Sequence, residues 1–206
     1  MKTMSVKIIF FILVSVFLTG CISNQAKPKY FYVLNPHYSS EALLKDEQKI
    51  DGLAVLISTL LLPPYLERKQ IVTRRSDNQL FFSDENRWGG KLRKNLQRVL
   101  VKNLSHELSS SNIATTPLRL TLKDAYIVDI EISQFELNAD NKVVLSAQWR
   151  LRSRNKDNLL NSGFEEIMSE PLSTKDDYQK IVSEMSITFS KFSHLIADAI
   201  ATDVKK

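Results

Sequence analysis

The spacing of apolar residues changes several times along this chain, and each change marks a predicted element. Tyr30 to Leu34 reads as a strand, stopped by Asn35-Pro36. Residues 37–50 are polar and mixed, a loop or short helix. Leu53 to Leu62 is continuously apolar. Such a run does not by itself separate strand from helix, but Gly52 before it and Pro63-Pro64 after it favour a buried strand. Ile71 to Arg74 forms a short strand that pairs with Leu80-Phe81-Phe82 across the polar turn Ser76 to Asn78. The period then becomes helical: Trp88, Leu92, Leu96, Val99, Leu100, Leu104 and Leu108 share one face and predict a helix over about 86–109. Ser83 or Asn86 would cap it, with Asp84 and Glu85 near its positive end. Gly89-Gly90 would weaken the first turn by roughly 1 kcal/mol per glycine relative to alanine, so a close approach of another segment is expected there.

A three-stranded meander follows. Leu118, Leu120, Leu122, Tyr126, Val128, Ile130 and Ile132 alternate with polar residues, and the phase then flips to Phe135 and Leu137, which predicts a bulge near Ser133-Gln134. Asn138 to Asn141 makes a turn. Val143, Leu145, Ala147, Trp149 and Leu151 point inward, with Arg150 and Arg152 outward. After a turn at Asn155 to Asn158, Leu160, Phe164 and Met168 form the face of the third strand, which Pro171 ends. The last element is a long helix over about 175–202, capped by Ser173 or Thr174 with Asp176 and Asp177 in its start. Tyr178, Ile181, Val182, Met185, Phe189, Phe192, Ile196, Ala199 and Ile200 form its apolar stripe. Lys180, Lys191, His194 and Asp198 lie opposite. The polar face is mixed rather than basic, so the helix is expected to pack on a sheet rather than lie on a membrane. The fold class is α+β: one domain with a mostly antiparallel sheet packed by two main helices.

The first residues are of another kind. Lys2 and Lys7 precede an apolar run from Ile8 to Leu18, and small residues follow at Thr19-Gly20. This is the make-up of a secretory signal peptide, and the run is too short for a spanning helix, which needs about 20 residues. Leu18-Thr19-Gly20-Cys21 resembles a bacterial lipobox. That resemblance implies cleavage before Cys21, a diacylglycerol on its thiol and an acyl chain on its new amine, and no other cofactor is expected. A single fatty chain anchors only marginally, whereas three on one residue hold permanently. Ile22, rather than Asp, follows the cysteine, which by resemblance to bacterial sorting implies the outer membrane, periplasmic face. The expected organisation is thus a signal peptide over 1–20, a lipidated cysteine and tether over 21–29, and one periplasmic domain over 30–206. An extended chain covers at most ~3.5 Å per residue, so residues 22–29 reach under about 30 Å. The domain stays close to its own membrane and needs a partner to bridge to another.

Charge and composition narrow the function. The formal charge of +5 includes Lys2 and Lys7, which is too mild to argue for nucleic acid. Cys21 is the sole cysteine, so lipidation leaves none for a disulfide, and the core alone must hold the fold. His37, His106 and His194 lie in three different elements without metal-ligand spacing. There is no Gly-x-Ser-x-Gly elbow and no glycine-rich phosphate loop. Glu165-Glu166 are neighbours on a strand and so point to opposite faces, a poor arrangement for paired acid and base. The chain is not expected to be an enzyme.

What stands out is Leu62-Pro63-Pro64-Tyr65-Leu66-Glu67-Arg68-Lys69-Gln70-Ile71-Val72-Thr73-Arg74, followed by Asn78-Gln79-Leu80 and Arg87-Trp88. This string resembles the ABC-type transport auxiliary lipoproteins. Tyr32-Val33-Leu34, Asn103-Leu104 in the first helix and the lipobox agree with it. Lys69, where a proline is commoner, and Gly89-Gly90, where alanine and an acid are, depart from it. The resemblance implies an outer-membrane accessory of an intermembrane lipid-transport system, docking an MCE-domain periplasmic protein and assembling as a homo-oligomer, such as a ring. Tyr65, Arg68, Arg74, Arg87 and Trp88 are the candidate contact residues, because exposed Tyr, Trp and Arg favour interfaces. The same prolines and cations could equally end a strand and form surface ion pairs. A structural lipoprotein tying the membrane to peptidoglycan is the alternative, suggested by Asn103 to Leu108.

Overall fold

The computed structural model describes residues 28–38, 53–116, 125–153 and 158–204. The signal segment, Cys21, most of the tether, Leu118 to Leu122 and the turn at 155–157 lie outside the described residues. The strands are β1 (Tyr30–Tyr32), β2 (Val55–Leu61), β3 (Gln70–Ser76), β4 (Gln79–Trp88), β5 (Ile113–Ala114), β6 (Tyr126–Leu137), β7 (Val143–Ser153) and β8 (Leu159–Met168). The helices are α1 (Leu92–Glu107) and α2 (Tyr178–Val204), and a single 3-10 turn spans Pro64–Glu67.

The eight strands form one sheet, with β6 as its spine. Along one edge β6 pairs antiparallel with β7 over its whole length, and β7 pairs antiparallel with β8. The other edge of β6 is shared. Its first half pairs parallel with β2, from Val55↔Tyr126 to Leu61↔Glu131. Its end meets β3, parallel, at Thr73↔Leu137. β3 and β4 form the expected hairpin, β1 adds to β4 in parallel, and β5 adds to β2 in parallel. The two longest ladders are antiparallel, as the alternation predicts, yet the sheet is mixed. The parallel β2–β6 pair is possible because the chain between them makes a long crossover through β3, β4, α1 and β5, which adjacency in sequence does not reveal.

Both helices lie on one face. α1 packs on β2 and β5, α2 packs on β6, β7 and β8, and the two helices pack on each other. The predicted stripes are the buried ones: Leu92, Leu96, Val99, Leu100 and Leu104 on α1; Ile181, Met185, Phe189, Phe192, Ile196 and Ile200 on α2. Between the helices, buried Asn103 donates its amide to Ser193 Oγ at 3.1 Å. The β6 bulge falls where the phase flip put it, with the register shifting between Ile132 and Gln134.

Several local expectations are corrected. The first helix begins at Leu92, not near residue 86, because β4 continues to Trp88, whose N–H donates to the Lys69 carbonyl at 2.8 Å. The four-residue interval from Trp88 to Leu92 imitates a helical period across a strand-to-helix turn. Ser83 therefore caps no helix; its hydroxyl accepts from the Asn86 N–H at 3.0 Å. The close approach exists, but only at Gly89. Its N–H donates to the Tyr32 carbonyl at 2.8 Å, and a Cβ there would stand 3.1 Å from Val33 Cγ1. At the start of α2, Asp177 supplies the cap in place of Ser173 or Thr174, its Oδ1 accepting from the Lys180 N–H at 3.0 Å. Lastly, Phe164 and Met168 are exposed on the helix-free face of β8. A register shift near Leu151/Arg152 changes the phase after Leu160, so that Gly163 sits opposite Trp149. A Cβ at 163 would come within 2.8 Å of Trp149 Nε1; the indole takes the space a side chain would need.

Candidate functional site

The segment singled out by sequence joins β2 to β3. Both run along the same edge of β6 in the same direction, and between Leu61 and Thr73 the chain leaves that edge and returns. Pro63 sits in extended backbone and Pro64 opens the 3-10 turn, fixing the excursion with little conformational freedom. The excursion lies over the β6 bulge. There, residues 132–136 of β6 have no strand partner on that edge among the described residues, and side chains take over.

Glu136 is the centre of this arrangement. Its side chain is 0 % exposed, although it points away from the helices. Tyr65 donates its hydroxyl to Glu136 Oε2 at 2.9 Å, and that hydroxyl also lies 3.3 Å from the Ser133 carbonyl. Arg74 Nε donates to Oε1 at 2.9 Å, the Gln134 amide donates to Oε1 at 3.1 Å, and the Phe135 N–H reaches Oε2 at 3.1 Å. A buried carboxylate is tolerable only with such saturation. Arg74 also donates to the Asp77 carbonyl at 2.9 Å, tying the β3–β4 turn to the same group. Burial works against the Arg74 charge, but the bond and attraction to Glu136 prevail and hold its pKa above the ordinary value. Burial first, and then the neighbouring Glu136 charge, push the Tyr65 phenol well above its ordinary value of 10.

That direction fixes a pH dependence. Above pH 10 the unfolded chain releases the Tyr65 proton and the folded chain keeps it, so the contribution of this hydroxyl is present in full below pH 10 and fades as pH rises further. Tyr65→Phe should cost about 2 kcal/mol near neutrality, as loss of a hydrogen bond to a charged group. The wild-type and variant stability curves should converge above pH 10. Denaturant melts across that range check this, and parallel curves would refute it.

The other candidates are placed differently. Arg68 is exposed, with its guanidinium 4.7 Å over the Phe82 ring. Arg75 lies 3.9 Å over Phe81. Arg87 donates to the Asp84 carbonyl and sits between Gln70 of β3 and Phe31 of β1 in the ladder register. Trp88, expected as a contact residue, is only 4 % exposed and belongs to the core. At the end of β4 its side chain turns to the helix side and cannot meet a partner. The structure thus brings Tyr65 and Arg74 together, leaves Arg68 at the surface nearby, and removes Trp88. Glu136 was missed. It stands between buried Phe135 and Leu137 at a position that alternation assigns outward, and only the excursion of a distant segment covers it.

The remaining chemistry is sparse. His194 contacts Glu107 at 3.1 Å and Asp198 at 3.3 Å, and His106 stacks on Tyr38 with centroids 4.2 Å apart. Among the described residues no group of three His, Cys, Asp or Glu is placed to hold a metal ion. Glu165 and Glu166 pair with Ala147 and Ser146, on opposite faces as expected. On the helix-free face a hollow is lined by Leu61, Asp129, Glu131, Gln148 and Arg150, and Arg152 pairs with Asp129 there at 2.7 Å. Asn103, Leu104 and Leu108, which suggested wall binding, are buried. No described helix is long and apolar enough to cross a membrane.

The domain is a two-layer α+β fold with a proline-fixed excursion locked onto its central strand. Residues 32–197 match the family model described as the ABC-type transport auxiliary lipoprotein component, and the chain belongs to that family. Among its relatives is the intermembrane transport lipoprotein PqiC of Escherichia coli, 23% identical over 186 residues, covering 90% of this chain and 93% of PqiC. PqiC of Shigella flexneri is similar to the same degree. Two crystal structures share the fold. One, of an uncharacterized protein, has a TM-score of 0.69 at 23% identity and covers 84% of this chain and 99% of its own. The other, from Xanthomonas campestris, has a TM-score of 0.66 at 11% identity and covers 87% and 97%.

Proposed function

We propose that this protein is an outer-membrane lipoprotein, anchored through acyl chains on Cys21, that docks an MCE-domain protein of an intermembrane lipid-transport system and performs no catalysis itself. The observation that carries this reading is the likeness to an intermembrane transport lipoprotein over nearly the whole of both chains. The short tether supports it, since a domain held within about 30 Å of its membrane can receive a bridge but cannot form one. The docking surface includes Arg68, with Tyr65 and Arg74 shaping its loop through Glu136. The protein self-associates to meet a multimeric partner.

The test is purification from membranes. Mass spectrometry should find a triacylated Cys21 at the mature N-terminus, and the MCE-domain protein should co-purify. Cys21→Ala should leave uncleaved precursor in the inner membrane. Arg68→Glu, at an exposed position, should leave the melting temperature unchanged and lower the co-purified partner severalfold. An unlipidated mature chain, or a wild-type chain that brings down no MCE-domain protein, would sink the proposal.

A further inference from the structure

The edge where the described domain begins carries apolar side chains that stand exposed among the described residues. Tyr30 is 53% exposed, Phe31 66% and Val33 50%. They lie on and just after β1, a three-residue strand with one neighbour, β4. Exposing two aromatics and a valine within four residues is costly in water unless something else covers them. Cations stand beside them. Lys29 precedes Tyr30 and is exposed. Arg87 is the ladder partner of Phe31. Lys91 follows the turn in which the Gly89 N–H holds the Tyr32 carbonyl. Arg98 donates to the Leu34 carbonyl, and Lys94 lies between Lys91 and Arg98 at helical spacing. Lys91, Lys94 and Arg98 are all exposed, and the first turn of α1 contains no acidic residue.

We infer that this edge is a membrane-contact surface: Tyr30, Phe31 and Val33 enter the head-group boundary of the bilayer that holds Cys21, and the neighbouring cations meet anionic phospholipid head groups. The inference rests on the lipidation of Cys21 proposed above. Three arguments select a lipid surface as the occupant. The chain outside the described residues ends at this edge, and from Cys21 it can extend less than about 30 Å, so β1 is the part of the fold that the anchor brings to the bilayer. Aromatic residues with flanking cations match the chemistry of the interface, where rings sit at head-group depth and Lys and Arg reach phosphates. β1 is also too short to template a strand from a second copy. The contact need not be strong, because a short tether keeps the patch at a high effective concentration beside the membrane. Its consequence is orientation. A lipid anchor alone lets the domain tumble on its tether, whereas a second contact at β1 fixes which face is turned to the periplasm.

The full lipidated chain tests this. Acylation leaves no free thiol at Cys21, so Phe31→Cys can be labelled alone with an environment-sensitive fluorophore, with Phe164→Cys on β8 as the comparison. Both are placed in vesicles of phosphatidylethanolamine and phosphatidylglycerol containing nitroxide lipids. The label at 31 should be quenched severalfold more than the label at 164. Lys91→Glu with Lys94→Glu should reduce that difference, more at low salt than at high salt. A chain that fails to float with the vesicles overturns the lipidation and this inference with it. A chain that floats with equal quenching at both positions overturns this inference alone. So does protection of position 31 that grows with protein density without nitroxide quenching, the mark of a second copy.

Discussion

Arg74→Ala should destabilise the domain by about 3 kcal/mol, the scale expected when one partner of a buried ion pair is removed. The reason lies in Glu136, whose 0 % exposed carboxylate loses its cation while remaining out of water. Its remaining donors, Tyr65, Gln134 and the Phe135 N–H, soften the loss but bring no charge. Adding Glu136→Gln to Arg74→Ala should recover much of the stability, because a neutral amide is far cheaper to bury than a carboxylate. Denaturant melts of the two single variants and the double variant close the cycle. Additive losses would show that the pair is not coupled and that the excursion over β6 is held by other means. The same result bears on function. Under the proposed function, variants of Arg74 and Tyr65 should weaken docking only as far as they loosen the loop, whereas Arg68→Glu should weaken it with the fold intact.

Phe189→Asp should leave the domain unfolded at ambient temperature. Phe189 is fully buried on α2, with ring centroids 6.1 Å from both Phe135 of β6 and Phe192. Loss of a core phenylalanine costs about 3–5 kcal/mol through its cavity alone, and an unpaired carboxylate in the same place adds several more. A domain of this kind has about 5–15 kcal/mol of stability to lose. Phe189→Leu, which keeps most of the volume, should fold and melt at a lower temperature. Circular dichroism of both variants decides the matter, and a folded Phe189→Asp would mean that α2 does not face the sheet by this stripe.

Much of this was legible in residue order. The α2 stripe, the β6 bulge, the inward residues of β7 and the β3–β4 hairpin follow from periodicity and phase, which are local properties set by backbone geometry. The family likeness of the Leu62 to Arg74 segment is likewise read from residue type and spacing. Two of the errors share one origin. Trp88 to Leu92 kept a helical interval while the backbone changed from strand to turn to helix, and Leu160 to Phe164 kept a strand-compatible interval across a register shift. A spacing argument assumes one uninterrupted element and fails where a break happens to preserve the interval.

The chain's own pattern therefore determined its fold class, its two core-facing helix stripes and its kinship. Only the tertiary structure decided what the marked segment does locally. It showed that β2 and β3 share one edge of β6, that Trp88 is core, that Glu136 is buried, and that Tyr65 and Arg74 are committed to it while Arg68 is not. Pairing across 62 and 71 positions of sequence separation leaves no periodic trace, because burial of an outward-pointing residue depends on which distant segment comes to lie over it. Alternation can say which way a side chain points, but it cannot say what meets it there.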